Sequence, residues 1–311
     1  MALRHPRFGR RFAPTLAYKP KPRLPLDLER LFEAGQMAGS YKYDGYRAVT
    51  PRGRLMSRNL LPIPNLALRR WVEDMDLPLL DGELVYGDPT APDCFKRTSS
   101  AVTTRDAPRD GIRFVVFDTF DPLYPRASFR ERNAALRMMS LPRGLVAVRH
   151  RLLQSARQAL EFEDEALALG YEGIMLRSLD GQYKFGRSTL RERILVAVKR
   201  FEDFEAEVLD VLPRYHNANA QERDELGRAK RSKRRNGMVP MASVGRFLVR
   251  ELRGRRRTME CGTGTFTMDE CARLWKVRAS LRGKVLNCRR QPDATGKRFP
   301  RAHGFRSRID F

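Results

Sequence analysis

Lys42 stands between two tyrosines in the stretch SYKYDGYR, residues 40–47, two residues ahead of an Asp-Gly pair. A lysine amine that has lost its proton is a nucleophile, and nearby cations or desolvation move it toward that state. If the chain enters the turn as a strand, Lys42 and Asp44 share one face and Tyr41 and Tyr43 the other. Gly45 then lets the backbone turn tightly, and Arg47 arrives just beyond. Taken alone, K-x-D-G is better read as an exposed hairpin with a solvated lysine, and the rest of the chain has to change that.

Further along the chain, other residues could complete a site. In DGELVY, alternation puts Glu83 on the face of Val85; in EGIMLR it puts Glu172 with Ile174 and Leu176. Phe117 lies opposite Phe114 and Asp118, and Lys199 shares a face with Leu195 and Ala197. Each has an ordinary reading, a strand-end charge or a core phenylalanine. Together, a lysine, two separated carboxylates, early arginines and a distal lysine suit a nucleotide. The carboxylates could hold a hard cation such as Mg2+ or Mn2+ through oxygen, while the cations cradle phosphates.

These residues need elements to position them. The 311 residues suffice for two domains of ordinary size. LDLERLFEAG and FEDEALALGYEG read as amphipathic helices closed by glycine. LLDGELVYGD, IRFVVFDTFD, EGIMLRS and RILVAVKRF read as strands. From about Phe201 short strands of a small basic module follow: EAEVLDVLP, VGRFLVREL, RRTMECGTG and GKVLNCRRQ. The polar segment between the first two of these, residues 215–238, is expected as a long exposed loop.

Lys and Arg number 61 against 37 Asp and Glu, a net charge of +24. Residues 213–311 hold 26 basic and 9 acidic residues, so this third of the chain is the expected polyanion-binding surface. Cys94, Cys261, Cys271 and Cys288 occur singly without C-x-x-C spacing, which speaks against a zinc site and for buried thiols in a reducing compartment. No apolar run reaches membrane-spanning length and no signal peptide is evident, so the expectation is a cytoplasmic protein with no membrane partner.

The ordered series KYDGYR from Lys42, SRN from Ser57, LDGEL from Leu80, FVVFD from Phe114, EGIMLR from Glu172 and VKRF from Val198 resembles the motif series of covalent nucleotidyltransferases. These are the ATP-dependent DNA ligases with their RNA ligase and capping-enzyme relatives. The terminal GKRFPRAHGFRSRID resembles the last motif of that series, YKFGRSTL and YHNANAQERDELGRAKRS are similar to small DNA ligases of bacteriophage type, and the resemblance runs from about Pro14 onward.

The resemblance implies an α+β chain. A nucleotidyltransferase (adenylation) domain of antiparallel sheets with helices, residues 1–202, precedes a C-terminal OB-fold β-barrel, residues 203–311. It implies that Lys42 attacks ATP to carry AMP, that Tyr41, Arg47, Arg58, Glu83, Phe117, Arg187 and Lys199 bind the nucleotide, and that Glu83 and Glu172 hold the metal. Arg298 and Arg306 would orient the leaving pyrophosphate. The partner would be nicked duplex DNA, met by a monomer, with Lys230, Arg231, Lys233, Arg234 and Arg235 on the backbone. RNA ligation, capping-type guanylyl transfer or a non-catalytic nucleic-acid binder remain alternatives. Two positions depart from the series: Ala197 stands where a phosphate-binding lysine is usual, with Arg187 or Arg191 able to compensate, and Ser40 stands where a larger side chain commonly meets adenine.

Overall fold

The computed structural model describes residues 14–18, 24–33, 35–75, 77–189, 191–199, 201–223, 229–232, 234–254, 256–290, 300–307 and 309; of 24–27, 222, 223, 229 and 230 it describes the backbone only. Two compact units result, Met1–Lys199 and Arg200–Phe311.

The first unit is built on two sheets. One is antiparallel, in the order Val196–Val198, Ile174–Ser178, Met37–Tyr41, Arg151–Leu153. Its alternate residues Met37, Ile174, Leu176, Val196 and Val198 form a core with the helix Ala156–Ala168 through Ala159, Phe162 and Ala166. The helix Leu24–Phe32 joins the same core through Leu28 and Leu31. The second sheet runs Met56–Ser57, Tyr46–Val49, Leu80–Tyr86, Ile112–Thr119, Leu145–Ala147, with a parallel last pair. Ala48, Leu80, Leu84, Phe114 and Val116 cover one face, packed on the helices Leu66–Glu73, Cys94–Thr103 and Phe129–Met138 through Leu68, Val72, Val102 and Leu136. Phe129–Met138 opens with a capping box in which Ser128 and Glu131 satisfy each other's backbone donors.

Each sheet therefore buries one face under helices and leaves the other for chemistry. The free faces carry Ala38, Ser40, Met175, Arg177 and Ala197 on one side, and Arg47, Asp81, Glu83, Val115 and Phe117 on the other.

The second unit is a closed five-stranded barrel in the order Glu202–Asn217, Met238–Glu251, Thr258–Gly262, Arg301–Phe305, Val285–Arg290. Thr258–Gly262 and Arg301–Phe305, third and fifth along the chain, pair in parallel, and the helix Met268–Lys276, opened by a second capping box at Thr267, lies between the third and fourth strands in sequence. That arrangement is the OB topology. Phe247, Val249, Cys261, Leu274, Leu286 and Cys288 fill its interior.

The polar segment expected as a loop is instead a β-ribbon. The first barrel strand continues to Asn217 and pairs with the second from Met238, and a hairpin of Gln221–Arg223 with Ala229–Arg231 extends it. Both faces of such a ribbon are wet, so the apolar alternation that marks a strand is missing from its sequence.

Candidate active site

Lys42 follows directly on the strand Met37–Tyr41, its backbone N–H donating to the Gly173 carbonyl at 2.9 Å. Its Nζ donates to Glu172 Oε2, and Lys199 Nζ meets Glu172 Oε1 at 2.9 Å. One carboxylate thus ties together two lysines that arrive from different strand ends. Burial pushes the Glu172 carboxyl up, but Lys42 and Lys199 outweigh it and hold the group below the usual carboxylate range.

Glu172 does not share the face of Ile174 and Leu176, as strict alternation requires. Gly173 adopts φ +140, and the kink turns Glu172 toward the lysines while Ile174 and Leu176 stay in the helix-side core. A Cβ at Gly173 would stand 2.3 Å from the Val198 carbonyl oxygen. Gly45 is also required, for close approach rather than for a turn: its Cβ would meet the Leu84 carbonyl oxygen at 2.3 Å.

On the facing sheet, Arg47 and Glu83 are paired across neighbouring strands. No hydrogen bond reaches the Glu83 side chain among the described residues. Burial pushes its carboxyl up to about 7, against the pull of Arg47 and Lys42. Arg47 is already occupied on one side. Its Nε and Nη2 grip Asp81 at 2.6 and 2.7 Å, and Nη2 also donates to the Thr15 carbonyl.

Phe117 is the extra residue of a β-bulge, because Asp81 pairs with Asp118 while Gly82 pairs with Val116. The bulge cancels the expected opposition of Phe117 and Asp118, and both meet Arg177. The Arg177 guanidinium lies 5.1 Å from the Phe117 ring centre and bonds Asp118 at 2.8 Å; Arg47 lies 4.5 Å from the same ring. Asp118 also accepts two bonds from Arg132, and the Tyr183 hydroxyl donates to Asp81 at 2.7 Å. Sequence reasoning missed this buried frame of Asp81, Asp118, Arg132, Arg177 and Tyr183. Its signal was available in part: Asp81 shares a strand face with Glu83, and Arg177 with Met175.

The structure gathers Lys42, Glu172 and Lys199 by direct contact and sets Arg47, Glu83 and Phe117 on the opposing face. It places the other residues elsewhere. Tyr41 joins the helix-side core, stacked on Tyr171 at 4.4 Å with its hydroxyl on Glu165. Arg58 is exposed beyond Met56–Ser57, and Arg187 is exposed with Nη1 on the Ala17 carbonyl at 2.7 Å. Ala197 is buried and pairs with Met175, which pairs in turn with Ser40. In the barrel unit Arg306 is exposed and reaches Glu205 at 3.4 Å, while Arg298 lies outside the described residues. On the ribbon Arg231 bonds the Asn217 and Asn219 carbonyls and the Gln221 side chain. Arg234 and Arg235 are exposed; Lys233 and the Lys230 side chain lie outside the described residues.

No group of three or more His, Cys, Asp or Glu side chains gathers around a metal position among the described residues. The two carboxylates nonetheless suit Mg2+, which keeps several waters and takes oxygens from substrate phosphates beside one or two carboxylates. Glu83, half-buried and with no side-chain donor among the described residues, carries the oxygens that a cation would satisfy.

No helix among the described residues is long and apolar enough to cross a membrane. The profile of the ATP dependent DNA ligase domain matches residues 16–193. A probable DNA ligase of Saccharopolyspora erythraea is 32% identical over 195 residues, which are 58% of this chain; the chain spans 36% of that protein's length. In fold, the chain is similar to a Lig E DNA ligase, with TM-score 0.62 and 23% identity over 94% of this chain and 99% of that one. It is also similar to Chlorella virus DNA ligase-adenylate, with TM-score 0.51 and 24% identity over 96% and 99%. With its profile match spanning more than half the chain and covering Lys42, Glu83 and Glu172, this protein belongs to the ATP-dependent DNA ligase family.

Proposed function

We propose that the chain is an ATP-dependent DNA ligase that seals nicks in duplex DNA, acting as a cytoplasmic monomer. Residues 1–202 would carry out adenylation and residues 203–311 would grip the duplex. The observation that carries this reading is the bridge from Glu172 to both Lys42 and Lys199.

Lys42 Nζ attacks the α-phosphate of ATP, the P–N bond forms, and pyrophosphate leaves. The AMP then passes to the 5′-phosphate of the nick, and the 3′-hydroxyl displaces it to close the strand. Glu172, ionised by its two lysines, holds Nζ in place and keeps its hydrogens directed until the proton departs. Lys199 supplies positive charge beside the nucleophile, where charge on the reacting phosphate grows. Arg47, pinned by Asp81, keeps Nη1 for the nucleotide, and Phe117 offers the aromatic surface on which adenine stacks. A Mg2+ or Mn2+ ion held by Glu83, Glu172 and the ATP phosphates would neutralise the oxygens of the transferring group. Arg298 and Arg306 are assigned to the pyrophosphate, and the ribbon arginines to the DNA backbone.

Incubation with α-labelled ATP and Mg2+, followed by denaturation and peptide mapping, tests the reading. Label retained on the peptide containing Lys42 is expected. Unlabelled protein, or label on another lysine, overturns it.

A further inference from the structure

We propose that the unit Met1–Lys199 carries a second anion site, a pocket of three arginines that takes a phosphodiester of the duplex backbone. The proposal rests on the ligase reading above, since it needs DNA to be the substrate.

The pocket lies at the end of the second sheet, where the turns before Ile112 and Leu145 meet the turn after Tyr86. It is a cavity of about 600 Å³ lined by Arg109, Arg113 and Arg143 around glycines 87, 111 and 144. All three glycines have positive φ, and a Cβ on Gly144 would stand 2.8 Å from the Trp71 ring. The turns are tied together by Gly87 N–H to the Gly111 carbonyl at 2.8 Å and Phe114 N–H to the Gly144 carbonyl at 2.9 Å. The arginines are held by neutral partners, with Asp88 the nearby carboxylate that bears on Arg113. Arg113 donates to the Gly87 carbonyl at 2.7 Å, and the Arg109 guanidinium lies 4.9 Å from the Trp71 ring centre.

None of the three makes an ion pair among the described residues, and Asp110 is the pocket's one acidic lining residue. Elsewhere in the unit Arg47, Arg132, Arg151 and Arg177 are all paired with carboxylates. Unspent guanidinium forks around a ready cavity suit phosphate oxygens. Tyr43, the neighbour of Lys42, packs on the cluster of Val85 and Val115, two residues along the strand from Arg113. A duplex whose nick lies at Lys42 thus brings its backbone near the pocket, which favours a DNA phosphate over a free one.

The test compares wild type with Arg143→Gln, an exposed position, and with Arg109→Gln/Arg143→Gln. Affinity for nicked duplex is measured across salt concentrations, adduct formation with labelled ATP is measured without DNA, and pyrophosphate binding is titrated as the free-phosphate arm. The double variant is expected to bind nicked duplex about tenfold more weakly, with a salt slope shallower by about 2. Adduct formation and pyrophosphate binding should be unchanged. Wild-type affinity and slope in the variants would overturn the pocket alone, because wild type still labels and binds DNA. Lost pyrophosphate binding with intact DNA binding would also overturn it. A wild-type chain that neither labels nor binds nicked DNA would bring down the ligase reading and the pocket together.

Discussion

In the unit Met1–Lys199 the charges around the cleft are buried against partners, whereas the barrel's pairs, that of Arg290 with the buried Glu251 apart, stand in solvent. Asp118 is 1% exposed and holds Arg132 and Arg177, each 4% exposed. In the barrel, Arg289 with Asp203, Arg250 with Glu207 and Arg246 with Glu260 repeat the same chemistry on the surface. A buried pair fixes geometry because breaking it strands an unpaired charge; an exposed pair trades water for carboxylate at little gain. Around the cleft charge holds atoms in place, and on the barrel it faces water.

The largest effect is expected at the nucleophile. Lys42→Arg keeps the charge and the contact with Glu172 but offers no neutral amine, so adduct formation should fall by about a thousandfold or more, with the fold intact by circular dichroism. Adduct at the wild-type rate would remove Lys42 from the chemistry. Next comes the frame beneath it. Asp118→Asn leaves Arg132 and Arg177 buried without a counter-charge and should cost about 3–5 kcal/mol in urea unfolding at neutral pH. Asp203→Asn, on the exposed Arg289 pair, should cost less than about 1 kcal/mol. Equal losses would break the comparison between the units.

The site was far more legible than its support. Lys42, Glu83, Glu172 and Lys199 were found because motif spacing states chemistry directly. Their frame was not, because Asp118 is read locally as the end of an apolar strand and Arg132 is one of several charges in the polar stretch RERNAALR. Their partnership joins residues distant in sequence, and only the bulge at Phe117 brings the strand side of it together. The barrel strands were legible from their apolar alternation. The ribbon was not, since with water on both faces nothing selects one residue in two. A period-2 rule also misassigned Glu172, because one left-handed glycine resets the alternation.

On the barrel side, Arg234→Gln/Arg235→Gln should weaken nicked-duplex binding by about tenfold and lower the salt slope by about 2, with adenylation spared. Arg231→Gln tests something else, because Arg231 bonds three groups of the ribbon itself. It should lose the same affinity only by loosening the ribbon, which faster amide exchange from Gln221 to Arg231 would reveal. Slow exchange in a variant that still binds poorly would instead make Arg231 a direct phosphate contact.

The smallest effect sharpens the claim that the first unit tolerates buried charge only where it is paired. His150 stands edge-on to Phe129, with ring centres 5.0 Å apart. Burial pushes its imidazole down to about 3, assisted by Arg177 and Arg137 and opposed by Asp118 and the Val148 backbone. Its folded-state pKa is below the unfolded value, so its contribution to stability is complete above about pH 6.5 and is lost as pH falls toward 3. The loss should reach about 1 kcal/mol at pH 6, because only the unfolded chain readily takes up the proton there. His150→Phe removes the titrating group while keeping an aromatic ring against Phe129. It should match wild type at pH 8 apart from a constant packing difference, and should flatten the decline in unfolding free energy between pH 7 and pH 5. A decline of undiminished slope in the variant would mean that the acid sensitivity of this unit does not come from His150.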